Sequence, residues 1–237
     1  MDIGRAFTFV TEDAKWVMKL VIAAVLTFFG FLLIPIPLLV GYTTGIARNV
    51  MNGEKLPLPE WGDDIGKLFM DGLYIVIAQL VYTLPFWILM CIGGVISIGS
   101  AGLSEVSEDL AVASLFTSFG LIICLAIIWW IFLILVTPAL LIQYVRTNDF
   151  GALFRFGEVY ALTRDNIGDI VITVVVGLAA GLVIGALNGV LQVIPCLGTI
   201  LGMVFSAVAG PWLMFAFGHL YGQIAAKSSG GMTKPAM

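Results

Sequence analysis

The sequence predicts an all-α integral membrane protein: six transmembrane helices arranged as three repeated helical hairpins, each preceded by a short interfacial amphipathic segment on the cytoplasmic side. Three observations predict it. The 237-residue chain is 60% hydrophobic and 11% charged, whereas a soluble domain carries about 25% charged residues, so charge is too scarce to cover a water-facing surface. No charged residue occurs between Lys19 and Arg48, Asp71 and Glu105, Asp109 and Arg146, or Asp169 and Lys227, and each interval holds at least one span of roughly 20 residues. The pattern Asp-apolar-Gly-x-x-Phe recurs at Asp2, Gly4 and Phe7, at Asp64, Gly66 and Phe69, and at Asp149, Gly151 and Phe154.

Taken in order, the candidate spans cover roughly 16–34, 37–51, 72–97, 112–145, 167–194 and 198–226. The residues before the first span mix Arg5, Glu12, Asp13 and Lys15 with apolar residues. They lack a signal peptide's form, so the first hydrophobic segment is expected to stay as an anchor. Between the first two spans, Pro35 and Pro37 favour a tight turn, because proline removes a helix N–H and restricts the residue before it. With six spans, all 11 basic residues fall on one side, in or beside 1–15, 51–71, 146–166 and the tail. The other side receives the Ile34–Pro37 turn, an acidic loop around Glu105, Glu108 and Asp109, and the turn at 194–198. Basic residues mark the cytoplasmic side, which puts both termini in the cytoplasm of a multi-pass protein in the cell membrane. The domain expected is a single one over residues 1–226, with hairpin units at about 2–51, 64–145 and 149–226 and a flexible cytoplasmic tail at 227–237.

Each repeated motif begins with a favoured N-cap residue. Ile3, Phe7, Val10 and Ala14 share one helical face, as do Phe150, Leu153, Phe154 and Ala161. Arg5, Lys67 and Arg155 are suited to lipid phosphates while the apolar faces enter the acyl boundary. Such segments either anchor each hairpin or offer a groove to a ligand or partner.

Within the fifth span, Gly177, Gly181, Gly185 and Gly189 recur at every fourth residue, a spacing that lets helix backbones approach closely, within the chain or between copies. Pro85, Pro138 and Pro211 lie inside spans and bend helices that either shape a cavity or merely pack. Asn188 and Gln192 lie one turn apart and either bridge helices or touch a polar substrate. With them His219, the single histidine, forms the candidate polar intramembrane site. No nucleophile–base set, paired carboxylates, phosphate loop or metal-ligand spacing is present, so no catalytic, cofactor-binding or metal-binding residue is assigned and no cofactor is expected. The three cysteines, Cys91, Cys124 and Cys196, lie in apolar stretches and read as fillers. With net charge −4 and no basic tract, nucleic acid is not an expected partner; membrane lipids are, together with a membrane protein or a second copy of the chain.

The most distinctive stretch runs Leu56-Pro57-Leu58-Pro59-Glu60-Trp61-Gly62-Asp63-Asp64, followed by Gly66, Phe69, Asp71-Gly72 and Tyr82-x-x-Pro85. It resembles an uncharacterised family of bacterial and archaeal polytopic membrane proteins, the domain of unknown function numbered four thousand and thirteen. The likeness runs from Phe7 to about Tyr221 and implies the membrane fold without supplying catalytic residues. The third lead-in, from Phe156 to Ile170, is similar to those of repeated-hairpin membrane domains attached to some glycerophosphodiesterases. Pro57 and Pro59 stiffen the loop, and Trp61 is suited to the headgroup level, as a bracket for the second lead-in or a partner's docking site. The function expected is a non-enzymatic accessory, assembly or envelope-organising module; the alternative is a small-molecule or lipid transporter or channel.

Overall fold

Asp2 caps the first helix: its Oδ1 accepts the Arg5 N–H at 2.9 Å, opening α1 (Ile3–Thr8), which tightens into a 3₁₀ turn over Phe9–Glu12. The structure is a computed structural model that describes residues 1–101, 108–194 and 197–230. Glu105, Cys196 and the tail beyond Gly230 lie outside the described residues. After the first turn come α2 (Trp16–Phe28), a 3₁₀ turn over Phe29–Leu32, α3 (Pro35–Met51), α4 (Ile65–Ala101), α5 (Glu108–Thr147), a 3₁₀ turn at Gly151–Phe154, α6 (Phe156–Asp165), α7 (Ile167–Leu191) and α8 (Leu197–Ser229). Among the described residues there is no strand.

Four of these helices are long and apolar enough to cross a membrane: Ile65–Val95, Phe119–Thr147, Ile167–Leu191 and Leu197–Ser229. A fifth crossing is obtained if Ile3–Glu12 and Trp16–Leu32, bent by 105° at their break, count as one broken span. Of the six crossings expected from charge placement, length and composition among the described residues support four to five. The reason is local: α3 has 17 residues, a rise of about 25 Å against a hydrocarbon core of about 30 Å.

Two further expectations change. Pro35 and Pro37 do not make the first turn; they occupy the first turn of α3, where a missing N–H has no intrahelical partner to lose. The reversal falls on Leu33, whose φ is 65°. The second lead-in is not a separate segment either. Asp64 caps α4 directly, accepting the Lys67 N–H at 2.9 Å, and with no breaker before Pro85 the helix runs uninterrupted into its apolar stretch. Helix ends elsewhere follow their sequence: Gly53 (φ 77°) closes α3 and Asn148 (φ 50°) closes α5, the residue types that tolerate the left-handed conformation.

The helices meet at glycines. A side chain at Gly72 of α4 would strike the Pro37 carbonyl and the Gly41 backbone of α3. Gly218 and Gly222 of α8 lie against Thr43, Ile46, Ala47 and Val50 of α3. One apolar core joins α3, α4, α5 and the end of α8 through Ile75, Tyr82, Leu140, Ile142 and Ile224. The other gathers Phe9, Leu20, Tyr42, Trp61 and Phe215 around α2 and α3. Polar contacts then collect the loops at one end: Asp2 bonds Gln223, Arg48 bonds Asp71 and Asn148, and Lys227 bonds Asp169. This is the basic end of the bundle.

Candidate functional site

Beyond Gly53 the chain doubles back along α3. Asn49 Nδ2 donates to the Pro57 carbonyl at 3.1 Å and the Tyr42 hydroxyl to the Pro59 carbonyl at 2.9 Å. The two anchors lie seven residues apart on α3, about 10 Å along its axis. Prolines suit this path because they hold it extended and present only acceptors. Trp61 stacks on Tyr42, ring centroids 4.2 Å apart, and its Nε1 donates to the Lys19 carbonyl at 3.1 Å. Trp61 is therefore an interior residue, 8% exposed, rather than a headgroup anchor.

This returning loop surrounds a buried cation. Lys19, 2% exposed, donates through Nζ to Asp13 Oδ2 at 2.6 Å and to the Leu58 carbonyl at 2.9 Å, and pairs with Glu60 Oε1 at 3.0 Å. An ammonium has three donors, and here each finds an acceptor, which is what makes its burial tolerable. Burial pushes the Asp13 carboxyl up, but the Lys19 hydrogen bond and charge and the Lys15 N–H outweigh it and hold the group below its usual range. The Lys19 hydrogen bond likewise holds the Glu60 carboxyl below its usual range.

A second cluster lies alongside. Asp71, 4% exposed, accepts from Arg48 Nη1 at 2.7 Å and from the Tyr144 hydroxyl at 2.6 Å. Arg48 also donates to Asn148 at 3.1 Å and lies over the Tyr144 ring, 5.9 Å from its centroid. The triad ties α3, α4 and α5 together. Both clusters border a charged cleft of about 670 Å³ that Lys15, Asp63, Asp64 and Lys67 also line.

Of the residues predicted from sequence, the first two repeated motifs share a helix-capping geometry and the third differs. Asp2 and Asp64 each accept the N–H three residues on, while Asp149 accepts that of Gly151, two residues on, at 2.9 Å. A side chain added at Gly4, Gly66 or Gly151 would meet the motif's own aspartate carboxylate at 3.4–3.7 Å, and Phe7, Phe69 and Phe154 are all half-buried. Along the glycine ridge, Gly177 faces Phe217, whereas Gly181, Gly185 and Gly189 have no described atom within 4 Å of a would-be side chain. Asn188 donates to Ser206 at 2.5 Å and Gln192 accepts from Thr199 at 3.4 Å, so both bridge α7 to α8.

His219 does not join them: it lies 13 residues beyond Ser206 on α8, about 20 Å away. There it packs on Phe9, centroids 4.6 Å apart, and contacts Gln223 at 2.9 Å. Gln223 binds the Asp2 backbone through both ends of its amide. The candidate polar site thus separates into a pair at one end of α7–α8 and a histidine at the other. No described group of three or more His, Cys, Asp or Glu is placed to hold a metal ion.

The profile of a family described as a protein of unknown function (DUF4013) matches residues 24–193. The chain belongs to this family. The DUF4013 match begins and ends inside the stretch over which the resemblance was expected, leaving α1 and all of α8 outside it. Neither a search of curated proteins nor one of solved structures returned a match. Within DUF4013 residues 24–193 lie Arg48, Asp71, Tyr144, Leu58 and Glu60, whereas Asp13 and Lys19 precede them. These buried charges escape a reading that treats the first charge after an apolar run as its boundary. The available signal was Lys19 within Trp16-Val-Met-Lys19-Leu-Val-Ile, and Asp71 two residues beyond Phe69.

Proposed function

We propose that the chain is a non-enzymatic membrane module, an accessory, assembly or envelope-organising subunit, with six crossings in three hairpins and both termini in the cytoplasm. The observation that carries this reading is the division of the bundle along its length. At the basic end, Lys19, Arg48 and Asp71 are bonded to other elements of the same chain, which makes a fixed platform. Away from it, α4, α5 and α7 present apolar faces, with Val95 70%, Phe116 76% and Leu182 75% exposed. Lipid supplies no hydrophobic drive to cover such faces, but small residues beside them favour close helix docking, and Gly181 and Gly185 stand open on the same helix as Leu182. In this reading the short α2–α3 pair crosses by local thinning of the bilayer.

The test is a photoreactive side chain at Leu182 in the full chain in its native membrane, paired with the purified chain in liposomes. A discrete protein adduct, or a discrete adduct with a second copy, supports the module. Solute flux or turnover by the purified chain, without an adduct, overturns it. A second reading, lipid or small-molecule handling, is favoured by one feature: a groove of about 570 Å³ between α4, α5, α7 and α8 that opens sideways and includes Pro138 and Gly177 in its wall.

A further inference from the structure

We infer that the α5–α7–α8 seam is a seat for one anionic phospholipid, its acyl chain in the side-opening groove and its phosphate at Arg146. The inference goes beyond the module reading and does not depend on it. Two cavities share the seam. The groove is walled by apolar residues such as Leu133, Val174 and Phe217, and its volume falls within the roughly 300–1,000 Å³ range of ligand pockets. Nearer the basic end, a cleft of about 770 Å³ is lined by Arg146, Asn166, Lys227 and Ser229 among others.

Their offset matches a lipid. Passing from groove to cleft means Pro138 to Gln143 on α5, Thr173 to Asn166 at the N-terminus of α7, and Tyr221 to Lys227 on α8. Those steps of five, seven and six residues rise about 7–10 Å. The headgroup layer outside the hydrocarbon core is about 5–8 Å deep per leaflet. A phosphate in the cleft therefore lets its chains enter the groove.

One cation of the cleft stands outside the ion pairs. Four carboxylates lie in or near the cleft, and each is paired with a cation other than Arg146: Glu158 and Asp149 share Arg155, Asp165 pairs with Arg164, and Asp169 with Lys227. Arg146 is half-buried and makes no ion pair or hydrogen bond with the described residues. A guanidinium in that position suits a phosphate, which it can bind through two parallel N–H donors. At the groove end nearest the cleft, the Tyr221 hydroxyl also lacks a described hydrogen-bond partner and is available to donate to an ester or ether oxygen of the lipid.

The experiment is native mass spectrometry of the full chain, released from detergent after equilibration with phosphatidylglycerol or phosphatidylcholine. Wild type is expected to retain one phosphatidylglycerol at least tenfold in preference to phosphatidylcholine. Arg146→Gln should lose about tenfold of that preference, the scale of one charge-assisted contact, and Arg146→Lys should recover part of it. Val174→Trp, which fills the groove, should lower retention of both lipids. Circular dichroism matching wild type shows that each variant folds. Equal retention of the two lipids by wild type overturns the proposal, as does an unchanged preference in Arg146→Gln. Displacement of the lipid by millimolar inorganic phosphate would also overturn it, since the cleft would then bind free phosphate without the acyl chain.

Discussion

Replacing Gly72 by alanine tests whether the α3–α4 crossing is set by backbone contact. The added carbon would lie 2.5 Å from the Gly41 nitrogen and closer still to the Pro37 carbonyl, where ordinary contact begins at 3.4 Å. Neither neighbour is a side chain that can swing away, so the helices must part by about 1.5 Å. Overpacking of this kind costs about 1–3 kcal/mol. Residue 71 is adjacent, and the same movement stretches the Arg48 and Tyr144 bonds to Asp71 from 2.7 and 2.6 Å, forfeiting about another 1 kcal/mol. A total of about 3 kcal/mol corresponds to a fall in Tm of roughly 6–12 °C for a chain of this length. The assay is thermal unfolding in detergent followed by gel filtration, with Gly181→Ala as the matched control. Gly181 has open space, so alanine there should leave Tm unchanged or raise it slightly. A Gly72→Ala variant within 2 °C of wild type, or an equal loss in Gly181→Ala, would refute the reasoning.

Other outcomes follow from the buried charges. Lys19→Met should destabilise by about 3 kcal/mol in the same unfolding assay, because it strands Asp13 without its cation, and adding Asp13→Asn should restore part of the loss. Acid should act through the same cluster. Asp13 and Glu60 have folded-state values below their ordinary 3.8 and 4.5, so their contribution is present above that range and is lost as pH falls through the lowered values. A Tm-against-pH series in Lys19→Met should accordingly show a shallower acid limb than wild type. At the second cluster, Tyr144→Phe removes one of two donors to Asp71 and should cost about 1–2 kcal/mol. Arg48→Gln removes the charge and should cost more, a ranking that denaturant or thermal unfolding checks.

The helical class was legible because composition decides it: too few charges exist to solvate the chain, and apolar intervals of span length follow. The aspartate caps at Asp2 and Asp64 were also legible, since each acts within three residues of itself. What escaped depends on contacts distant in sequence. Nothing near Lys19 announces that Glu60 and Leu58 return to it, and nothing near Trp61 reports that Tyr42 covers its ring. Sequence placed α3 at 37–51 and the helix is slightly longer, Pro35–Met51; periodicity gives a helix's existence better than its fit to a bilayer. The fusion of the second lead-in with α4 could have been read from the missing breaker between Asp64 and Pro85. The repeated motif instead suggested three identical beginnings.

The buried lysine also imposes an order on assembly. Lys19 leaves the ribosome six residues after Asp13 and 41 residues before Glu60. At about 5–20 residues per second, the second carboxylate follows by some 2–8 s. During that interval Asp13 alone neutralises a charge within an apolar helix, and the returning loop does not yet exist to enclose it. The first hairpin is therefore a provisional structure when it is made. The prolines and tryptophan of the loop arrive as a latch, which locks the hairpin only as α4 begins to be synthesised.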